Sequence, residues 1–338
     1  MQGAAEWLVA AVHAGWIGVQ LFFVLSGFLI TRNLLDSRGS RHYYSAFYAR
    51  RLLRIVPLAY LLLIAFLVIL PRFVALPAEV TDTYAFQFWV WAFLNNWVQS
   101  SGRTVYWFSH YWSLAVEEQF YVAWPVVVAK FANRWFAAIC VGLVIVAIAS
   151  RTWMLAAGAS NQSIYNFTNS RMDALAIGAL AAVVVRSPAR VAFTKRFALP
   201  LLATAVIGFV ALALTTGGFA LRSAVLVVPG YSLLAVVFAL FLLVAMLGGP
   251  GRVVGAYVSA LSCRPLQSVG KYSYAMYLFH QPLALGLNSA LLRALKPAGV
   301  LAPVLFALSV TALSYGCGFV SYNLFEKHVL ALKRFFPP

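Results

Sequence analysis

Long apolar runs dominate the chain, and their spacing predicts its elements. A helix needs about 20 mostly apolar residues to cross a bilayer. Nine stretches meet or approach that length: 16–34, 55–73, 109–129, 135–154, 172–187, 197–216, 224–247, 272–291 and 301–322. Segment 84–98 (YAFQFWVWAFLNNWV) is shorter, rich in aromatic residues, and has Asn95 and Asn96 near its end. That pattern suits a helix lying at the interface or re-entering the membrane better than a crossing. The expected fold is all-α: a polytopic integral membrane helical bundle with about nine crossings plus one interfacial or re-entrant helix. No internal repeat or long soluble insert interrupts it, so residues 1–338 read as a single membrane domain with no fused soluble domain.

Composition agrees. Hydrophobic residues make up 63% of the chain and charged residues 10%, with a mean hydropathy of +0.86. Soluble domains are about 45–50% apolar and about 25% charged. An ordinary cytosolic enzyme, a disordered tail and a nucleic-acid-binding module are excluded. The net charge of +17 reflects orientation in a membrane instead of nucleic acid. If 84–98 does not cross, 18 of the 25 Lys and Arg fall in loops 31–54, 130–134, 186–196, 248–271 and 323–338. The positive-inside rule makes that side cytoplasmic, with the C-terminus inside and the N-terminus outside. Cys140, Cys263 and Cys317 are far apart without CxxC spacing, so they read as buried thiols, with neither a disulfide framework nor a metal site expected.

The N-terminus is unusual. Residues 1–15 are too short to span and hold no Lys or Arg for a signal-peptide n-region. The expectation is that a first transmembrane helix is missing, through a late start codon or real divergence.

Polar residues inside apolar runs are the functional candidates, because a charge at mid-membrane costs roughly 2.5–3.5 kcal/mol on insertion scales. In HYWSLAVEEQFYVAWP (110–125), His110 and Glu117 lie seven residues apart on one helix face, with Ser113 between them. A His with a carboxylate can act as a general base on a hydroxyl; a Glu117–arginine pair at the interface is the plainer reading. In FYARRLLRI (47–55), Arg51 and Arg54 share a face beside Arg50. They form a phosphate clamp or a positive-inside anchor. His280 precedes Pro282, whose ring frees a backbone carbonyl that could satisfy the imidazole. Arg171 and Asp173 are either an ion pair or the lining of an outward-facing site. Glu326, beside Lys327, reads as a solvated charge. Gly18, Ser26 and Gly27 leave room for close helix packing or for a long thin ligand. No GxxxxGK[ST], HExxH or GxSxG occurs, which disfavours an ATP-driven pump and a soluble-type hydrolase.

Taken in order, GVQLFFVLSGFLIT (18–31), FYARRLLRIVP (47–57), HYWSLAVEEQFYVAWP (110–125), SRMDALAIGAL (170–180), GKYSYAMYLFHQP (270–282) and LFEKHVLALKR (324–334) resemble the acyltransferase-3 family of integral membrane O-acyltransferases. The resemblance covers nearly the whole chain. It implies about ten helices in the bacterial inner (plasma) membrane, and transfer of an acyl group, often acetyl, from cytoplasmic acyl-CoA to a hydroxyl of a carbohydrate or lipid-linked glycan. Acyl-CoA is then a co-substrate and no cofactor is expected; the remaining partner is the lipid bilayer, and no nucleic acid. Arg51 and Arg54 match the family's CoA-phosphate pair, Ser26, Gly27 and Phe28 its SGF segment, and Glu117 the carboxylate of WSLxxE. His110, Tyr111, Trp112, Arg171 and Asp173 fall on the acceptor side, and Tyr274 and His280 join them as channel-lining candidates.

The family carries an Arg and a His about ten residues apart in its first helix, with that His the favoured general base. His13, only five residues before Gly18, matches the loop after that helix, so it is a weaker candidate base. Two other classes fit the apolar pattern: a transporter of an anionic or lipid-linked substrate, which predicts pseudo-symmetric halves, and a catalytically inactive shortened relative.

Overall fold

The computed structural model describes residues 15–74, 83–131, 134–215, 223, 225–248 and 252–337. The described residues are helices and connecting turns, with no strand among them. The helices are α1 (Trp16–Asp36), α2 (Tyr43–Leu63, continued by wider and tighter turns to Arg72), α3 (Gln87–Trp91), α4 (Asn95–Ser100), α5 (Tyr111–Phe131), α6 (Arg134–Ala156), α7 (Asn161–Asn166), α8 (Met172–Val184), α9 (Pro188–Thr215), α10 (Tyr231–Leu247), α11 (Arg252–Leu261), α12 (Arg264–Leu295) and α13 (Ala302–Ser321, continued to Phe335). This is an all-α, multi-pass membrane protein. Six helical stretches among the described residues are long and apolar enough to cross a bilayer: 16–36, 43–72, 135–156, 188–215, 226–247 and 302–335.

The structure departs from the sequence reading in three places. Run 172–187 forms only the 13-residue α8. At 1.5 Å per residue that is about 20 Å, short of the roughly 30 Å hydrocarbon core. Segment 84–98 is not one helix: α3 ends before Phe93, whose φ of 53° turns the chain before α4 begins. Asn95 and Asn96 are buried in α4, which packs on α5, so they do not mark an interfacial helix end. Of the three cysteines, Cys140 is buried but Cys263 is exposed.

The α1–α8 crossing is the tightest in the bundle. A Cβ on Gly27 would lie 2.0 Å from the Leu175 carbonyl oxygen, and one on Gly178 would lie 2.1 Å from that of Val24. Small residues let two backbones touch, which is how helices associate where no hydrophobic force drives them together. The space at Gly27 is therefore filled by α8, and packing displaces the expectation that Gly27 makes room for acyl-CoA. Phe28, one residue on, is buried in the core.

Three helices are tied by a buried ion pair. Arg151 of α6 donates to Asp173 of α8 at 2.8 Å and to the Ser232 hydroxyl of α10 at 2.7 Å, and Ser232 donates to Asp173 at 2.6 Å. Both charged side chains are fully buried. The Asp173 carboxylate thus belongs to Arg151; it neither pairs with Arg171 nor lines an acceptor site.

Two outcomes check this packing. Gly27→Leu and Gly178→Leu force backbones apart and should each cost at least about 1–3 kcal/mol. Gly142→Ala meets nothing within 4 Å and should leave the detergent-solubilised melting temperature unchanged. Asp173→Asn strands a buried guanidinium, a loss of about 3–5 kcal/mol. The double variant Arg151→Met/Asp173→Leu should melt above Asp173→Asn, and simple additivity would show the pair uncoupled.

Candidate functional site

Helix α5 is the axis of the site, and its polar positions face the bundle interior. Near one end, α2 is held to it by Tyr43, whose hydroxyl donates to the Pro125 carbonyl at 3.0 Å, and by Tyr48, which donates to Val122 at 2.8 Å. A cavity of about 510 Å³ opens there. Arg50, Arg51 and Arg54 of α2 line it together with Lys333 from the C-terminal turn, and Asn33 and Asp36 close it from α1. Asp36 is the one acidic lining residue among the described residues, and it forms an ion pair with Arg186. The arginines and the lysine therefore set the sign of the cavity. The i, i+3 spacing of Arg51 and Arg54 was readable from sequence. Lys333 was not, because more than 270 residues separate it from them.

The basic cavity leads inward through Arg51. Its guanidinium carbon lies 5.3 Å from the Tyr121 ring and 5.9 Å from the Phe47 ring. The Tyr121 hydroxyl meets Ser26 Oγ at 2.5 Å. Both hydroxyls are within reach of the Glu117 carboxyl, which is buried and whose Oε1 has no hydrogen-bond partner among the described residues. Glu117 is thus neither a solvated interface charge nor one partner of a close arginine pair.

One turn on, Ser113 continues the same face. Its hydroxyl lies 2.6 Å from that of Tyr277 on α12, which also donates to the His110 carbonyl. His110 and His280 then meet edge to face, with ring centroids 4.9 Å apart. His280 Nδ1 lies 2.5 Å from the Tyr277 carbonyl. The carbonyl that Pro282 leaves without its helical donor is that of Leu278, so His280 is met by the Tyr277 carbonyl and not by the one the proline frees. Neither ring nitrogen of His110 has a hydrogen-bond partner of ordinary geometry among the described residues.

These residues face a second cavity, of about 260 Å³, lined by Trp16, Gln99, His110, Trp112, Tyr277 and His280 among others. His110 and Glu117 are about 10 Å apart along α5 at 1.5 Å per residue, so they do not form a contacting acid–base pair. Ser113 and Tyr277 stand between them.

Arg171 packs against Trp112, which lines the second cavity. Four aromatic rings surround its guanidinium: Tyr231 at 4.5 Å, Tyr165 at 4.6 Å, Phe23 at 5.6 Å and Trp112 at 5.8 Å. Its Nη2 donates to Gln20, and Gln20 in turn donates to the Tyr231 carbonyl at 2.6 Å. Ring faces replace the carboxylate that Asp173 gives to Arg151. Gln20, Tyr165 and Tyr231 carry no motif spacing that would have singled them out. Tyr274 donates to the Ile55 carbonyl at 2.5 Å and so ties α12 to α2. Glu326, read as solvated, is half-buried and accepts from Ser321 at 2.9 Å. His13 lies outside the described residues.

Comparison with known proteins agrees with this arrangement of motifs. The chain is 29% identical over 316 residues to the O-acetyltransferase OatA of Staphylococcus aureus (strain NCTC 8325 / PS 47), covering 84% of this chain and 48% of that protein. It is 30% identical over 296 residues to the putative peptidoglycan O-acetyltransferase YrhL of Bacillus subtilis (strain 168), covering 80% and 44%. It is 27% identical over 291 residues to the peptidoglycan O-acetyltransferase OatA of Listeria monocytogenes (serovar 1/2a, strain EGD-e), covering 80% and 45%. The chain thus spans a little under half the length of these relatives. No solved structure matches it. The sequence profile of the acyltransferase domain matches residues 5–323, a span that includes α1, the arginines of α2, the polar face of α5 and the His280 helix, and the chain belongs to the acyltransferase-3 family.

Proposed function

We propose that this chain is a membrane-embedded O-acyltransferase unit that moves an acyl group, acetyl in the simplest case, from acyl-CoA to a hydroxyl of a glycan. One observation carries the reading: two chemically different cavities lie at opposite ends of α5, joined by a line of polar side chains on that helix. Four cations around a cavity of about 510 Å³ suit the phosphates of CoA, which guanidinium groups hold in bidentate fashion. The opposite cavity, walled by aromatic rings and imidazoles, suits a neutral sugar face. Relatives named as peptidoglycan O-acetyltransferases support a cell-wall glycan as the acceptor class.

The basic end faces the cytoplasm in this reading, because Arg50, Arg51, Arg54 and Lys333 gather there and basic residues favour the inner side. CoA stays there while the thin pantetheine arm passes Arg51 and Tyr121 into the bundle. A sugar hydroxyl is a poor nucleophile at neutral pH and needs a base. His110, whose ring nitrogens have no hydrogen-bond partner of ordinary geometry among the described residues, accepts the hydroxyl proton as the oxygen attacks the thioester carbon. The C–S bond breaks and the proton passes to the CoA sulfur, so the products are an ester and a free thiol. The Ser113 hydroxyl, rotating from Tyr277 onto the substrate, meets the charge that develops on the carbonyl oxygen, the place where a donor lowers a barrier most. Glu117, with Ser26 and Tyr121, positions the thioester beneath Ser113.

Two measurements check these roles. Arg51→Glu with Arg54→Glu should abolish acyl-CoA binding to detergent-solubilised protein that still elutes as a folded species; unchanged binding removes the clamp. His110→Gln and Glu117→Gln should retain acyl-CoA binding and lower acyl transfer to glycan by about 10²–10⁴-fold. Transfer at the unsubstituted rate in His110→Gln would exclude it as the base.

A further inference from the structure

A third cavity, of about 340 Å³, opens beside the acceptor cavity. Gln99, Ser109 and Gln162 line both, so the two cavities share a wall. Each is near or below the lower end of the usual small-ligand range of about 300–1,000 Å³, room for one ring apiece and not for a chain.

The walls differ in chemistry. The first holds Trp16, Trp112, Tyr277 and the two imidazoles. The second is almost wholly amide and hydroxyl: Gln99, Thr104, Ser160, Gln162, Ser163 and Asn166. Its amides are locked to one another. Gln162 Nε2 donates to Asn166 Oδ1 at 3.1 Å, Asn166 Nδ2 to Gln99 Oε1 at 3.4 Å, and Gln99 Nε2 to the Ser109 carbonyl at 2.9 Å. Amides held in register present fixed donors and acceptors, which recognise hydroxyl-rich ligands with little ordering cost.

Charge in the two cavities is one-sided. Among the described residues, Arg103 is the single charged side chain lining the third cavity, and no carboxylate lines either that cavity or the acceptor cavity. Gly102, at φ +83°, turns the chain out of α4 and sets Arg103 at the rim. Its guanidinium stays within 5.2 Å of the Phe86 ring, so stacking holds it there.

We propose that this third cavity is a sugar subsite, which makes the acceptor an oligosaccharide whose unit beside Arg103 carries an anionic group. The proposal rests on the acceptor side of the function given above. The ring that receives the acyl group sits against Trp112 and His110, and its neighbour sits among Gln99, Gln162 and Asn166. A carboxylate on that neighbour accepts from Arg103, a charge-assisted bond stronger than a neutral one.

The test uses the full chain in nanodiscs with N-acetylglucosamine, its neutral tetramer and a hyaluronan tetrasaccharide as probes. Equilibrium binding is measured without acyl-CoA, and transfer is then measured with acetyl-CoA. The carboxylated tetrasaccharide should bind about tenfold more tightly than the neutral one, and Arg103→Gln should remove that margin. Thr104→Trp, which places a ring in the third cavity, should lower the tetrasaccharide-to-monosaccharide affinity ratio at least tenfold. Both side chains are exposed, so neither substitution threatens the fold. A ratio unmoved by Thr104→Trp, equal binding of the two tetrasaccharides, or no tetrasaccharide binding overturns the subsite. Binding as described without transfer from acetyl-CoA leaves the subsite standing and overturns the acyltransferase reading instead.

Discussion

Backbone contact between α1 and α8 at Gly27 and Gly178 is the constraint on which the rest of the bundle is built. Lipid tails are as apolar as leucine, so hydrophobicity alone does not draw two helices together in a bilayer. Close approach gains dispersion contacts and brings buried polar groups within bonding distance. With α8 pressed onto α1, Asp173 comes within reach of Arg151, and Arg171 within reach of Gln20. Both arginines are then stable in hydrocarbon, one through a carboxylate and a hydroxyl, the other through four ring faces and an amide.

Those two solutions to one problem leave different chemistry behind. The Arg151–Asp173–Ser232 cluster is closed: its charges cancel and it faces three helices. Arg171 has no carboxylate partner among the described residues, and the rings that hold it include Trp112, which also lines the cavity of the imidazoles. On the other side of α5, the interior positions Tyr121, Glu117, Ser113 and His110 descend in helical steps from the basic cavity to the imidazole pair. A single helix therefore connects the basic cavity with the cavity walled by aromatic rings and imidazoles.

Distribution of charge organises the two ends further. At the basic end the arginines of α2 gather with Lys333, while Asp36 is drawn off by Arg186. At the opposite end the cavity walls are amides, hydroxyls, rings and Arg103. Cationic and neutral polar side chains are thereby sorted to different ends of α5.

Much of this was legible in the residue order, for definable reasons. Apolar run length marked the helices because the bilayer sets one minimum length for all of them, and the i, i+3 and i, i+7 spacings of Arg51 with Arg54 and of His110 with Glu117 gave shared faces because helical periodicity is local. Local periodicity could not say that His110 and Glu117 lie too far apart to touch, that Asp173 answers to Arg151, or that α8 is too short to cross alone. Nor could it find Lys333, Tyr277, Gln99 or Gln162, whose roles exist only once helices distant in sequence are packed together. The sequence by itself determined an all-helical membrane protein and the polar face of α5; which residues stand on the two sides of each cavity was decided by the tertiary structure, because side-chain partners across a bundle depend on helix crossings that no nearest-neighbour pattern encodes.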